Sequence, residues 1–125
     1  MIDHVSIRVA DLENSAKFYE KALGAIGYKR LVGDFDGAIG FSVDHPEDNS
    51  GSVWLIKEEY VTSSVHIAFA VPDVETVKKF YDAALSVGGR DNGVPQKCPE
   101  YGESYFGGFV LDPDGNNIEA TTYIK

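Results

Sequence analysis

Two histidines and one glutamate are the residues of this 125-residue sequence best suited to metal chemistry. They are His4, His66 and Glu119, and each is expected on a β-strand far from the other two along the chain. Two imidazoles and one carboxylate that converge on one ion leave coordination positions open for water or substrate, which indicates catalysis rather than a structural metal. We expect one divalent ion, and ligand type alone leaves Fe, Mn, Ni, Co and Zn as alternatives.

An internal repeat relates the two histidines. Shifting the sequence by 62 residues places His4–Gly27 over His66–Gly89 with ten identities in 24 positions. The repeat predicts a single domain over residues 1–125, built from two modules at about residues 1–60 and 63–125. Because a module of this size buries too little surface to be stable by itself, we expect the two modules to share one core.

Each module opens with an alternating strand followed by a helix. Within Ile2–Val9 and Val65–Val71, apolar residues alternate along one face, so each histidine is expected on the opposite face of its strand; the apolar residues are Val5, Ile7 and Val9 in the first and Ile67, Phe69 and Val71 in the second. Asp11 and Asp73 then stand where helix N-caps belong, ahead of apolar residues at helical spacing. These patterns predict one amphipathic helix in each module, covering one face of its sheet.

The remainder of each module is predicted to form short strands. They are expected at Tyr28–Val32, Ala38–Asp44, Ser52–Lys57, Tyr105–Leu111 and Asn116–Tyr123. Asp112-Pro113-Asp114-Gly115 predicts a tight turn, His45–Gly51 a looser one, and Gly93–Gly102 a long irregular loop. The expected fold is therefore α+β, with two tandem βαβββ modules forming a cupped mixed sheet. Glu119 is expected on the same face of its strand as Asn117, Thr121 and Tyr123.

Composition excludes several classes of partner. Eleven basic residues against 20 acidic ones give a formal net charge of −9, which disfavours nucleic-acid binding because phosphate contacts need a basic face. The longest stretch without a charged residue, Tyr60–Pro72, has 13 residues, whereas a membrane-spanning helix needs about 20. A single cysteine and a charged N-terminal segment lead us to expect a cytoplasmic protein without membrane contact.

Aromatic and cationic residues on the concave face are candidates for contacting a small molecule. Trp54, Phe109, Tyr101 and Tyr105 are expected to form an aromatic wall for a flat or apolar ligand, with core filling as the alternative. Arg8 shares the face of His4 and is expected to bind a substrate carboxylate or phosphate, or else a neighbouring acid.

The sequence resembles the vicinal oxygen chelate superfamily, which includes glyoxalase I, bleomycin-resistance proteins, fosfomycin-resistance enzymes and extradiol dioxygenases. The resemblance spans essentially the whole chain, and its carriers are Asp3–Asp11, the Lys-Phe-Tyr of each helix, His66–Val71 and Phe109–Glu119. It implies paired βαβββ modules around a divalent metal, with ligands on the first and last strands of the modules. It also implies a substrate that chelates the ion through two oxygens, and a possible homodimer.

Two positions depart from the family pattern. Trp54 stands where a fourth ligand is expected, which disfavours the proton-transfer chemistry of glyoxalase I, and Phe109 stands where ring-cleaving dioxygenases place a tyrosine. We therefore expect a metal-dependent enzyme of the lyase, isomerase, transferase or dioxygenase type, with no catalytic acid or base assigned. The alternative is a non-catalytic protein that sequesters a small molecule, as bleomycin-resistance proteins do.

Overall fold

The computed structural model describes residues 2–43 and 52–124, which form two βαβββ modules. The first contains β1 (Val5–Val9), α1 (Leu12–Gly24), β2 (Lys29–Arg30), β3 (Ala38–Ser42) and β4 (Val53–Lys57). The second contains β5 (His66–Ala70), α2 (Val74–Ser86), β6 (Arg90–Lys97), β7 (Tyr105–Leu111) and β8 (Asn117–Tyr123). The predicted α+β class and tandem repeat are therefore confirmed.

The two four-stranded sheets have the same topology. Their strand orders are β1-β4-β3-β2 and β5-β8-β7-β6, and in each sheet the first strand runs parallel to the last while the other pairs are antiparallel. The parallel pairing aligns Ala68 with Glu119, and the antiparallel pairing aligns Phe109 with Glu119. Residues from three strands of the second module are thus brought together on one sheet face.

Both helices begin at the predicted aspartates and cover one face of their sheets. The Asp11 side chain accepts a hydrogen bond from the Asn14 amide, and Asp73 accepts one from the Thr76 amide. The core beneath the helices is apolar, and its fully buried members include Ile7, Val9, Phe18, Leu23, Leu55, Val77, Phe80, Ala84, Val110 and Ile118. The even-numbered residues of β1 and β5 are exposed, so the predicted alternation is confirmed for the faces that carry His4 and His66.

The predicted loop at Gly93–Gly102 is wrong in its first half. β6 extends through Lys97 and pairs with β7, with two register shifts between Asp91 and Gln96. Irregular pairing at these shifts accommodates Gly93, whose φ is 144°, together with Pro95, and both residue types are typical of loops. The predicted strand Tyr28–Val32 is shorter in the structure, where β2 contains only Lys29–Arg30. Asp44, at the end of the next predicted strand, and the predicted turn at His45–Gly51 lie outside the described residues.

A buried hydrogen-bond network joins the two modules. The Tyr19 hydroxyl of α1 donates to Asp112 Oδ2 at 2.5 Å, and Asp112 also accepts from the Asn116 amide at 2.8 Å, the Asn116 side chain at 3.0 Å and the Asp114 amide at 3.0 Å. All four acceptor contacts are made by a carboxylate that is 1% exposed. The turn that precedes β8 is therefore fixed to the helix of the other module.

The segment between the modules takes part in the same junction. The Thr62 hydroxyl accepts a hydrogen bond from the Arg8 amide at 2.8 Å, and the Thr62 amide donates to the Arg8 carbonyl at 2.8 Å. The Thr62 carbonyl in turn accepts from the Asn116 side chain at 2.9 Å. Thr62 thus connects the edge of β1 to the turn before β8.

The junction predicts a loss of stability at alkaline pH. Burial and the neighbouring Asp112 carboxylate raise the pKa of Tyr19 well above its usual value of 10.0. A folded-state pKa above the unfolded one stabilises the fold below about pH 10, and this stabilisation is lost as the pH rises further. We expect Tyr19→Phe to flatten the alkaline fall in the free energy of unfolding, measured by urea unfolding between about pH 8 and 11.

Tyr60→Phe is the matched control for this measurement, because the Tyr60 side chain is 81% exposed. Tyr60→Phe should show the same fall in the free energy of unfolding at alkaline pH as the wild-type protein. The same alkaline slope in Tyr19→Phe and wild type would contradict the assignment.

Candidate functional site

His66, Glu119 and Tyr105 form a cluster on the exposed face of the second sheet. His66 Nε2 lies 2.7 Å from Glu119 Oε1, and the Tyr105 hydroxyl donates a short hydrogen bond to Glu119 Oε2. The Glu119 side chain is 1% exposed, whereas the His66 side chain is 50% exposed. The arrangement buries a carboxylate behind an imidazole that remains open to a ligand.

Strand pairing explains why these side chains meet. β8 lies between β5 and β7, so Glu119 has neighbours from both strands on its own face. Gly107 of β7 leaves the space that the carboxylate occupies, because a Cβ at this position would lie 2.7 Å from Glu119 Oε2. The Glu119 carboxylate therefore lies between the backbone of Gly107 and the Tyr105 hydroxyl, and these two residues form what we call the seat of Glu119.

Tyr105 remains a hydrogen-bond donor over the ordinary pH range. Burial of the ring, followed by the hydrogen bond to Glu119, raises the pKa of Tyr105 from 10.0 to about 12. The neutral phenol is the form that can donate to a carboxylate. The contact between Tyr105 and Glu119 is thus favoured at neutral pH.

Aromatic rings adjoin the cluster. The Phe109 ring lies 6.1 Å from the His66 ring, and the Tyr101 ring lies 6.5 Å from Phe109 and 5.5 Å from Tyr105, measured between centroids. A surface depression of about 500 Å³ is lined by Tyr101, Phe109 and Asn117, among others. Asn117 Oδ1 is buried there and has no hydrogen-bond partner among the described residues. This face offers apolar area beside the His66 imidazole.

The other predicted site residues lie on the first sheet. The half-exposed His4 imidazole lies one residue before β1 and contacts Asp3, with Nδ1 2.7 Å from Oδ2, and Arg8 is exposed within β1. Trp54 is aligned with Ser6 in the sheet and packs edge-on against Phe35, with ring centroids 5.0 Å apart. These residues share a sheet with one another rather than with Glu119.

No group of three or more His, Cys, Asp or Glu side chains is placed for metal binding within residues 2–43 and 52–124. The structure therefore brings His66 and Glu119 together but does not add His4 to them within one chain. Sequence reasoning also missed the seat for Glu119. The sequence pattern predicts an aromatic-wall role for Tyr105 and none for Gly107, although alternation along β7 places both on the face of Glu119.

The described helices include none that is both long and apolar enough to cross a membrane.

The sequence model of the glyoxalase/bleomycin resistance protein/dioxygenase superfamily matches residues 1–120 of the chain. No curated protein sequence matches it.

Solved structures show the same fold. A glyoxalase/bleomycin resistance protein from Albidiferax ferrireducens is 24% identical with a TM-score of 0.81, and each chain is 98% covered. A family enzyme from Burkholderia phytofirmans is 14% identical with a TM-score of 0.74, again with 98% of each chain covered. A glyoxalase I mutant from Zea mays is 28% identical with a TM-score of 0.67, and the match covers 96% of this chain and 43% of the maize chain.

Proposed function

Because the chain belongs to the glyoxalase/bleomycin resistance protein/dioxygenase superfamily, we propose that it is a divalent-metal-dependent enzyme acting on a small molecule that offers two oxygens to the ion. The observation that carries this proposal is the 2.7 Å separation of His66 Nε2 and Glu119 Oε1 on an open sheet face. Lyase, isomerase, transferase and dioxygenase reactions all remain compatible with such a site.

The donor atoms fit a divalent ion. An imidazole nitrogen beside a carboxylate oxygen suits Fe, Mn, Ni, Co or Zn, and the exposed side of His66 leaves room for further ligands. Two protein ligands from one chain are few for such a site. We propose that His4 of a second copy supplies the third, since the β1 face that carries His4, Ser6 and Arg8 is exposed. This assignment makes the protein a homodimer with shared sites.

The protein groups have distinct roles in this proposal. When bound, the ion acts as a Lewis acid that polarises a substrate oxygen. His66 and Glu119 hold the ion, while Tyr101 and Phe109 contact the apolar part of the ligand. Arg8 and Trp54, which share the sheet of His4, reach the same ligand from the second copy and bind its anionic and apolar parts, respectively.

Metal analysis tests the proposal directly. The protein is purified without chelator, incubated separately with Fe(II), Mn, Ni, Co and Zn, and freed of unbound metal before elemental analysis. We expect about one ion per protomer for at least one of these metals, and its loss in His66→Ala because two ligands no longer meet. His45→Ala replaces the remaining histidine of the sequence and serves as control. Absence of metal from the wild-type protein under all conditions would refute the proposal.

Mixing two inactive variants tests the shared site. If His4 and His66 come from different copies, one site in each mixed dimer of His4→Ala and His66→Ala keeps both histidines. Co-refolding equal amounts should therefore restore about a quarter of the wild-type metal content, because about half of the dimers are mixed and each regains one of two sites. Recovery of no metal would contradict the contribution of His4 from a second copy.

A second candidate function is non-catalytic binding of a small molecule, as in bleomycin-resistance proteins. The aromatic rings of Tyr101 and Phe109 beside a depression of about 500 Å³ favour it. The formal net charge of −9 suits a cationic ligand. Tight binding of an aromatic cation by a protein that takes up no metal would support this function over the enzyme.

A further inference from the structure

The two oxygens of Glu119 have different surroundings. Oε1 faces His66 on the open side of the sheet, whereas Oε2 faces the Tyr105 hydroxyl and the backbone of Gly107. Nothing larger than hydrogen fits at Gly107 without displacing the carboxylate, since a Cβ would lie 2.7 Å from Oε2. Burial of the Glu119 side chain to 1% exposure leaves little room for it to rotate.

We propose that Tyr105 and Gly107 hold Glu119 so that it binds metal through Oε1 alone. The inference rests on the proposed function, because it concerns the same ion. The Tyr105 hydroxyl donates to Oε2 and therefore competes with a metal ion for that oxygen, and Gly107 leaves the space in which the carboxylate reaches this hydroxyl. Tyr105 is thus a positioning residue rather than a group that contacts substrate.

One-oxygen binding matters for a substrate that chelates. If each protein ligand supplied one donor atom, the ion would keep more of its coordination positions free for the two oxygens of a chelating substrate. Binding through both oxygens of Glu119 would occupy one position more.

The test compares wild type, Tyr105→Phe and Tyr123→Phe with Co(II) as the probe. Tyr123 is the matched control because its ring packs edge-on against Tyr105 at 5.4 Å, while its own side chain is 62% exposed. The measurements are the Kd for Co(II), the visible absorption of bound Co(II), which reports coordination number and geometry, and thermal unfolding of the metal-free proteins.

We expect Tyr105→Phe to weaken Co(II) binding about tenfold, as loss of a partner to a ligating group does, and to change the visible absorption of the ion. Tyr123→Phe should match wild type in both. If Tyr105→Phe bound Co(II) with the wild-type Kd and visible absorption, the proposed role of Tyr105 would be overturned, while the metal site itself would stand. Failure of wild type to bind Co(II) or any of the other four metals would overturn the proposed site together with this inference.

Gly107→Ala provides an independent variant that keeps the hydroxyl but crowds Oε2. It should alter the Kd and the absorption of Co(II) in the way Tyr105→Phe does, because both substitutions disturb the position of Glu119 Oε2. This variant decides the question if Tyr105→Phe does not fold. Wild-type Co(II) properties in folded Gly107→Ala would overturn the proposed seat.

Discussion

Replacement of Asp112 by alanine is expected to lower the free energy of unfolding by about 3 to 4 kcal/mol. The substitution removes four hydrogen bonds at once, leaves the Tyr19 hydroxyl buried without its acceptor, and leaves the Asn116 side-chain amide with the Thr62 carbonyl as its remaining acceptor. Because unpaired buried donors lose their interaction with water and gain nothing in return, the cost exceeds that of one ordinary hydrogen bond. Urea unfolding at neutral pH provides the measurement.

Two further variants define the origin of this effect. Asp112→Asn keeps one acceptor oxygen and the shape of the side chain, so it should lose roughly half as much stability as Asp112→Ala. Asp82→Asn changes an exposed aspartate on α2 and should stay within about 0.5 kcal/mol of wild type. An Asp112→Ala protein as stable as wild type would show that the junction between the modules does not depend on this carboxylate.

The second large effect is expected at Gly89, the repeat equivalent of Gly27. A Cβ on Gly89 would lie 2.6 Å from the Ala84 carbonyl oxygen and 2.7 Å from Cε1 of Phe18. Gly89→Ala should therefore cost about 2 to 3 kcal/mol through overpacking against backbone and a buried ring. A Cβ on Gly27 meets nothing within 4 Å, but its φ of 103° is unfavourable for other residues, so Gly27→Ala should cost about 1 to 2 kcal/mol.

Gly24 completes the comparison as a control. It lies in the last turn of α1, has open space around it and has no positive φ, so Gly24→Ala should leave stability unchanged or raise it by up to about 1 kcal/mol. All three variants are compared by urea unfolding. Because Gly89 has no positive φ, a Gly89→Ala protein as stable as Gly24→Ala would show that close packing does not require glycine at residue 89.

Much of the fold was predictable because it is encoded locally and twice. The repeat gave two modules, Asp11 and Asp73 marked where the helices begin, and alternation placed His66 and Glu119 on the right faces of their strands. The missed strand, β6, has a different origin. Gly93 and Pro95 are typical of loops, and only the pairing with β7 shows that register shifts accommodate them within a strand.

The candidate site was predictable only within one module. Alternation assigns His4 to a face, but it contains no information about which other sheet that face meets, since docking of modules depends on contacts far apart in sequence. The role of Tyr105 was hidden for a related reason. Its aromatic ring suggested stacking, whereas the partner of its hydroxyl depends on the register between β7 and β8.

The two modules differ in what surrounds the equivalent positions Glu119 and Trp54. Glu119 is enclosed by its own module, whereas its counterpart Trp54 lies on the other sheet against Phe35. Substitutions around Trp54 therefore alter the size and polarity of the first sheet's face without disturbing the seat of the carboxylate. Changes in the first module can therefore alter the surface offered to a ligand while the second module continues to hold Glu119 against Tyr105 and Gly107.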